Sequence, residues 1–175
     1  MRRALVAAGA LLALPLAGCG GDDASPPDPS ASRSITVTSP AFGDGEAIPP
    51  EYTCKGDGIS PELHWSGAPV GAGLTIVVDD PDAPGGDYVH WVADVMPSTT
   101  GIDAGATTSD VQELRGASWK PPCPPSGTHH YRFTVYALPA DETFSLEGGS
   151  VTAYVSLLAQ KAVAWGRLTG TVTAK

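Results

Sequence analysis

From Ile35 onward the chain is built of short apolar runs separated by turn-forming residues, and period-two alternation marks several runs as half-buried strands. Residues 34–39 alternate polar and apolar, residues 42–50 read as loop, and residues 62–65 form a short strand candidate. The strongest strand segments are 74–80, 88–96 and 129–138, which are rich in Val, Ile, Tyr, Trp and Thr and are bounded by Gly or Pro. No helical run separates these segments, so the pattern predicts a mainly β fold, an antiparallel β-sandwich. Only residues 150–164 read as a helix: Val151, Val155, Leu158 and Ala162 form one stripe, Ser150 is the candidate N-cap, and Gly166 is expected to end it. Residues 167–173 alternate again, so the domain is expected to close with a C-terminal helix and a final strand.

The first residues follow a different pattern. Arg2 and Arg3 precede an apolar run over residues 4–16, and small residues then lead directly to a cysteine. This is the layout of a secretion signal, too short and wrongly flanked for a transmembrane helix. Leu16-Ala17-Gly18-Cys19 resembles the bacterial lipobox, in which the chain is cut before the cysteine and the thiol carries lipid. Residues 1–18 are therefore expected to be a lipoprotein signal peptide. Residues 19–33 have no large apolar side chain, cannot offset their ordering entropy by burial, and read as a disordered tether. The folded domain is expected over 34–175, exported and lipid-anchored to the bacterial cell membrane through Cys19.

The full length of 175 residues is enough for one domain with a buried core. With 17 prolines and 21 glycines, long helices are broken repeatedly, which reinforces the strand-and-turn reading. Charge excludes a further class. Against 19 Asp and Glu stand 10 Lys and Arg, a net charge of -9, and loss of Arg2 and Arg3 with the signal makes the mature chain more acidic still. Nothing here neutralises a nucleic acid or holds an anionic bilayer by charge, so membrane contact is expected through the N-terminal lipid only. Export also places Cys54 and Cys123 in an oxidising compartment, where they are expected to pair. Their spacing is not that of a redox or zinc motif.

Candidate chemistry collects on three segments. Alternation puts Leu74, Ile76, Val78 and Asp80 on one face, so Asp80 emerges where an apolar face ends. From that segment alone, Asp80 and Asp82 serve equally well as turn-formers ahead of Pro81 and Pro84. Along the later strand, His129, Tyr131, Phe133, Val135 and Ala137 share the core face, while Thr128, His130, Arg132, Thr134 and Tyr136 share the other. The adjacent histidines therefore cannot both serve one site. His90 stands between Tyr88 and Trp91, and periodicity does not decide which way it points.

Asp80-Pro81-Asp82-Ala83-Pro84, His90-Trp91, Pro122-Cys123-Pro124-Pro125-Ser126-Gly127 and His129-His130-Tyr131 together resemble the phosphatidylethanolamine-binding protein family, in its bacterial Raf-kinase-inhibitor-like branch. Ser39-Pro40-Ala41-Phe42, Ile48-Pro49-Pro50, Tyr52-Thr53-Cys54, Ser60-Pro61 and Leu63-His64-Trp65 follow the same order, so the resemblance spans Ile35 to Thr173. It implies a β-sandwich with a small anion pocket at one end of the large sheet. Carried over by position, Asp80, His90, His129 and Tyr131 are the pocket residues, with Asp82 close by and the Cys123-Pro124 backbone beside the anion. One departure stands at the rim, where Pro121 replaces the glycine usual in the family, with no N–H and no access to positive φ.

The expected function is that of a membrane-tethered binding protein for phosphate-like or phospholipid head groups, with a regulated protein partner as a further role of the pocket rim. The alternative is an exported inhibitor of a protease or other enzyme, acting through rim loops such as 101–119. In the first reading His90 and His129 donate to phosphate oxygens as imidazolium, Asp80 orients a ring, Tyr131 adds a hydroxyl, and affinity rises as pH falls. No nucleophile is evidently held against a base, so a metal-dependent or acid–base hydrolase is the least favoured class. No catalytic residue, metal ligand or cofactor is assigned.

Overall fold

A computed structural model describes residues 28–106, 110–114, 116–140, 142 and 149–174. Signal residues 1–18, Cys19 and the tether up to residue 27 lie outside the described residues.

Two antiparallel sheets are stacked. The smaller has the order β1 (Thr36–Thr38), β2 (Leu63–Ser66) and β5 (Gly101–Ile102). The larger runs β6 (Val111–Glu113), β4 (Tyr88–Val95), β3 (Gly73–Asp80), β7 (Thr128–Leu138) and β8 (Ala164–Thr173). Between the sheets, Leu74, Ile76, Val78, Phe133 and Val135 from the large sheet meet Val37, Leu63, Trp65 and Ile102 from the small one. Phe42 and Ile48, from the segment read as loop, complete this core, and Phe42 lies 5.5 Å from Phe133 ring to ring. Leu74, Ile76, Val78, Phe133 and Val135 are the alternating positions the sequence singles out, and every one of them is buried.

The opposite face of the large sheet is also covered. Val77, Val92, Tyr136 and Leu138 pack there against Tyr154, Val155, Leu158 and Ala159 of the helix α1 (Val151–Lys161). The Ser150 hydroxyl caps that helix, accepting from the Ala153 amide at 3.1 Å. Central strand β3 therefore reads as a continuous apolar run, because both of its faces are dry.

Three sequence expectations need correction. The helix ends at Lys161, and Gly166 lies inside β8, which starts at Ala164 and pairs with β7 from Ala164↔Ala137 to Thr173↔Thr128. Gly166 serves close approach: a Cβ there would stand 2.0 Å from the Ile35 carbonyl oxygen. Helix propensity in 162–164 thus yields to a long strand pairing. Secondly, β5 and β6 lie in the stretch read as an extended loop, being too short to carry a period. Thirdly, the packed chain begins before Ser34. Asp28 pairs with Arg167 at 2.6 Å, the Ala31 carbonyl accepts from Trp165 Nε1 at 3.0 Å, and Pro29 is buried.

Candidate functional site

The core face of the large sheet runs out at Phe133. The next positions on that face of β7, Tyr131 and His129, line a cavity of about 350 Å3 with Asp80, His90, Cys123 and Lys120. A slightly larger cleft of about 380 Å3 lies around Trp65, Val70 and Pro97, but its lining holds no titratable side chain. Chemistry therefore favours the smaller cavity.

Each polar group in the cavity has a defined anchor. Asp80 accepts from the Asp82 amide at 2.9 Å through Oδ1 and meets His129 Nδ1 at 2.7 Å through Oδ2. Both side chains are buried, at 5% and 8% exposure. A carboxylate oxygen accepts, so His129 Nδ1 carries the hydrogen, and Nε2 is the free end of the ring. His90 is arranged in the same way, with Nδ1 donating to the Lys120 carbonyl at 2.9 Å. Burial holds its pKa below the usual histidine value, against the opposing pull of the Lys120 carbonyl and the Asp80 charge, so the ring is neutral at pH 7 with a lone pair on Nε2. The ring edges toward Tyr88 and Tyr131, with centroids at 4.9 and 5.2 Å.

Tyr131 is fully buried, yet among the described residues its hydroxyl has no hydrogen-bond partner. Burial, and then the Asp80 charge, push its pKa well above the ordinary tyrosine value, so it is an O–H donor. Asp80 and the Cys123 backbone lie close enough to bear on its proton, but neither meets the hydroxyl in full hydrogen-bonding geometry. A buried hydroxyl of this kind costs about 1–3 kcal/mol unless something fills the space beside it.

How His90 comes to the cavity is a matter of register. Val78 pairs with Trp91, but Asp79 pairs with Val89, so β4 carries one extra residue and that residue is His90. The bulge lets Trp91 enter the core between the sheets while Val89 packs on the helix side, and His90 turns to the cavity instead of following strict alternation. Asp79 points the other way, where Arg132 Nε donates to it at 2.9 Å and Arg132 also bonds Asp87.

The wall facing the sheet is the segment 119–125. Cys54 and Cys123 form a disulfide with Cα atoms 5.4 Å apart, as the sequence suggests, and the Cys54 amide donates to the Pro122 carbonyl at 3.1 Å. Trp119 Nε1 donates to the Gly58 carbonyl at 2.7 Å. Pro121 lines the cavity, and no described non-glycine residue has positive φ, so the departure at the rim is accommodated without backbone strain.

Of the residues named from sequence, Asp80, His90, Cys123, His129 and Tyr131 thus converge on one cavity. Two do not line it. Asp82 faces outward, where Oδ2 accepts from the His130 amide at 2.8 Å and lies 2.7 Å from His130 Nδ1. Pro124 is buried behind the wall, and Pro125 takes its place in the lining. Lys120 and Tyr88 escape sequence reasoning, since a lone lysine before Pro121 and a strand-end tyrosine have no periodic signal. Among the described residues no group of three or more His, Cys, Asp or Glu is arranged to hold a metal, and no helix is long and apolar enough to cross a membrane.

The model of the phosphatidylethanolamine-binding protein family matches residues 38–173, which takes in the large sheet, the helix, the whole cavity and the small sheet from Thr38 onward. The chain belongs to the phosphatidylethanolamine-binding protein family. Within that family it is 39% identical over 201 residues to LppC of Mycobacterium tuberculosis, which is named as a lipoprotein, with 97% of this chain and 96% of the relative covered. To UPF0098 protein Mb1945c of Mycobacterium bovis it is 45% identical over 154 residues, covering 84% and 74%. Escherichia coli YbcL, whose crystal structure is described as a new member of the mammalian PEBP family, superposes with a TM-score of 0.70 at 27% identity, covering 81% of this chain and 99% of that one.

Proposed function

We propose that the chain is an exported, lipid-anchored binding protein whose cavity takes the phosphate of a phospholipid head group or a related small anion, without turnover. The buried Tyr131 hydroxyl, which has no hydrogen-bond partner among the described residues, carries this reading, because it is a donor already placed at the cavity. Two histidines support it. Each is held at Nδ1 by an acceptor, so each gains an Nε2 donor as soon as it takes up a proton. Asp80 has both oxygens engaged by Asp82 and His129, which accounts for a carboxylate beside an anion site: it sets the ring and balances the imidazolium.

Calorimetric titration of the full chain with inorganic phosphate tests the pocket. His129→Ala and the closer-shaped His129→Gln are both expected to lose binding, and unchanged affinity in a folded variant would refute the reading. A chain that binds no phosphate but still blocks a protease would instead place the function on the rim. The anchor is tested separately: Cys19→Ser is expected to move the protein from the membrane fraction to the soluble one.

A further inference from the structure

Lys120 stands at the cavity mouth on an unusually fixed piece of main chain. Its amide donates to the His90 carbonyl at 3.0 Å, and its carbonyl accepts from His90 Nδ1 at 2.9 Å, so His90 grips it from both sides. Trp119 is tied to Gly58 on one flank, and the Cys54–Cys123 bridge holds the other. From that point the ammonium comes to 5.2 Å from the centre of the Tyr88 ring, within cation–π range. Tyr88 itself lines the cavity and is 43% exposed.

An aromatic face at the mouth of a phosphate pocket is where the ammonium of a zwitterionic head group would settle. Here the chain places its own ammonium there. Lys120 is also the one Lys or Arg among the described residues that line the cavity. We propose that Lys120 is a specificity-determining residue, which directs the pocket to phosphates carrying no positive substituent, such as glycerol phosphate esters, in preference to phosphoethanolamine or phosphocholine. This deepens the anion-pocket reading and rests on it. A ligand ammonium would have to displace Lys120 from Tyr88 or lie against a like charge. Asp80 cannot compensate, because both of its oxygens are engaged, and Asp82 is committed to His130 outside the cavity. A ligand hydroxyl meets neither obstacle, and its phosphate gains a counter-charge.

The test uses the full chain with Cys19→Ser, so that no lipid of its own takes part, titrated with inorganic phosphate, sn-glycerol 3-phosphate and phosphoethanolamine. Glycerol phosphate is expected to bind roughly tenfold more tightly than phosphoethanolamine, the scale of one close charge pair at partly screened dielectric. In Lys120→Met that ratio is expected to fall to about one, and in Lys120→Arg to be retained. A ratio unchanged in Lys120→Met, or a wild-type preference for phosphoethanolamine, overturns the assignment while leaving the pocket in place. Failure of all three probes on the folded wild type removes the pocket and this inference together. Co-sedimentation with phosphatidylcholine vesicles containing phosphatidylglycerol or phosphatidylethanolamine separates the sources. Lys120-dependent capture by phosphatidylglycerol vesicles supports the same selectivity on a lipid, binding of free glycerol phosphate alone supports it on a soluble ester, and preferential capture by phosphatidylethanolamine vesicles overturns it.

Discussion

Replacing Tyr131 by Phe is expected to move stability and affinity in opposite directions, which few single-atom changes do. The side chain is fully buried and its ring packs edge-on to His90 at 5.2 Å, so the substitution keeps shape and contacts while deleting one oxygen. In the free protein that oxygen has no hydrogen-bond partner among the described residues. Leaving such a group unsatisfied costs about 1–3 kcal/mol. Water entering the open cavity recovers part of that cost, so the expected gain is near the low end, about 1 kcal/mol, or roughly 3 °C in Tm for a domain of this size. With phosphate bound, the hydroxyl donates to a charged acceptor, and losing a bond of that type costs about 1.5–3 kcal/mol, which is roughly ten- to hundredfold in Kd. Thermal unfolding in phosphate-free buffer measures the first effect and calorimetric titration the second. A Tyr131→Phe protein that melts lower without ligand, or binds phosphate as the wild type does, would refute the placement of the hydroxyl as a waiting donor.

Four further perturbations have expected outcomes. Burial lowers the His90 pKa and anion binding favours the imidazolium, so binding takes up a proton and affinity for a phosphodiester, whose own charge is constant, rises as pH falls from 8 to 5.5. For the free domain the sign is reversed: the stability from keeping His90 neutral is complete above its usual pKa of about 6.5 and is lost as pH falls below it, which urea titrations across that range measure. Arg132→Met strands two buried carboxylates and is expected to cost about 3–5 kcal/mol in urea unfolding at pH 7. Burial pushes Asp79 up to about 6 even with Arg132 beside it, and removing the guanidinium raises it further, so protonation relieves that repulsion as pH falls below neutral and the loss is expected to be smaller at pH 5. Reducing the Cys54–Cys123 bridge, whose cysteines have a sequence separation of 69, is expected to remove about 4 kcal/mol of stability by chain entropy and to weaken phosphate binding by loosening the wall beside Cys123. Gly166→Ala forces a Cβ to within 2.0 Å of the Ile35 carbonyl and is expected to cost about 3 kcal/mol, read as a lowered Tm, with no direct effect on the distant pocket.

The start of β7 and the end of β8 are legible in the sequence because one face of each is dry and the side-chain period is two, and β3 is legible as an unbroken apolar run because both of its faces are dry. That same period separates inward His129 and Tyr131 from outward His130, and the structure has them so. Helix α1 is legible from its stripe and its Ser150 cap, but its end is not. Residues 162–166 have no local preference strong enough to announce ten paired positions with β7, and Gly166 is needed by a backbone distant in sequence. Strands β5 and β6 leave no signature because two or three residues cannot show a period.

At the site the division falls between local chemistry and register. Sequence alone determined which residue types are available, that Asp80 and Tyr131 stand at the open ends of apolar faces, that Cys54 and Cys123 are left to pair, and that net charge confines any anion to a local pocket. Tertiary structure alone decided the rest. His90 reaches the cavity only because β4 holds one residue more than β3 opposite it, Asp82 leaves it because His130 offers two hydrogen bonds outside, and Lys120 joins it because His90 grips its main chain. Periodicity is a property of one strand, whereas a bulge, a competing partner and a gripped loop are each relations between two segments. No single stretch of sequence contains them.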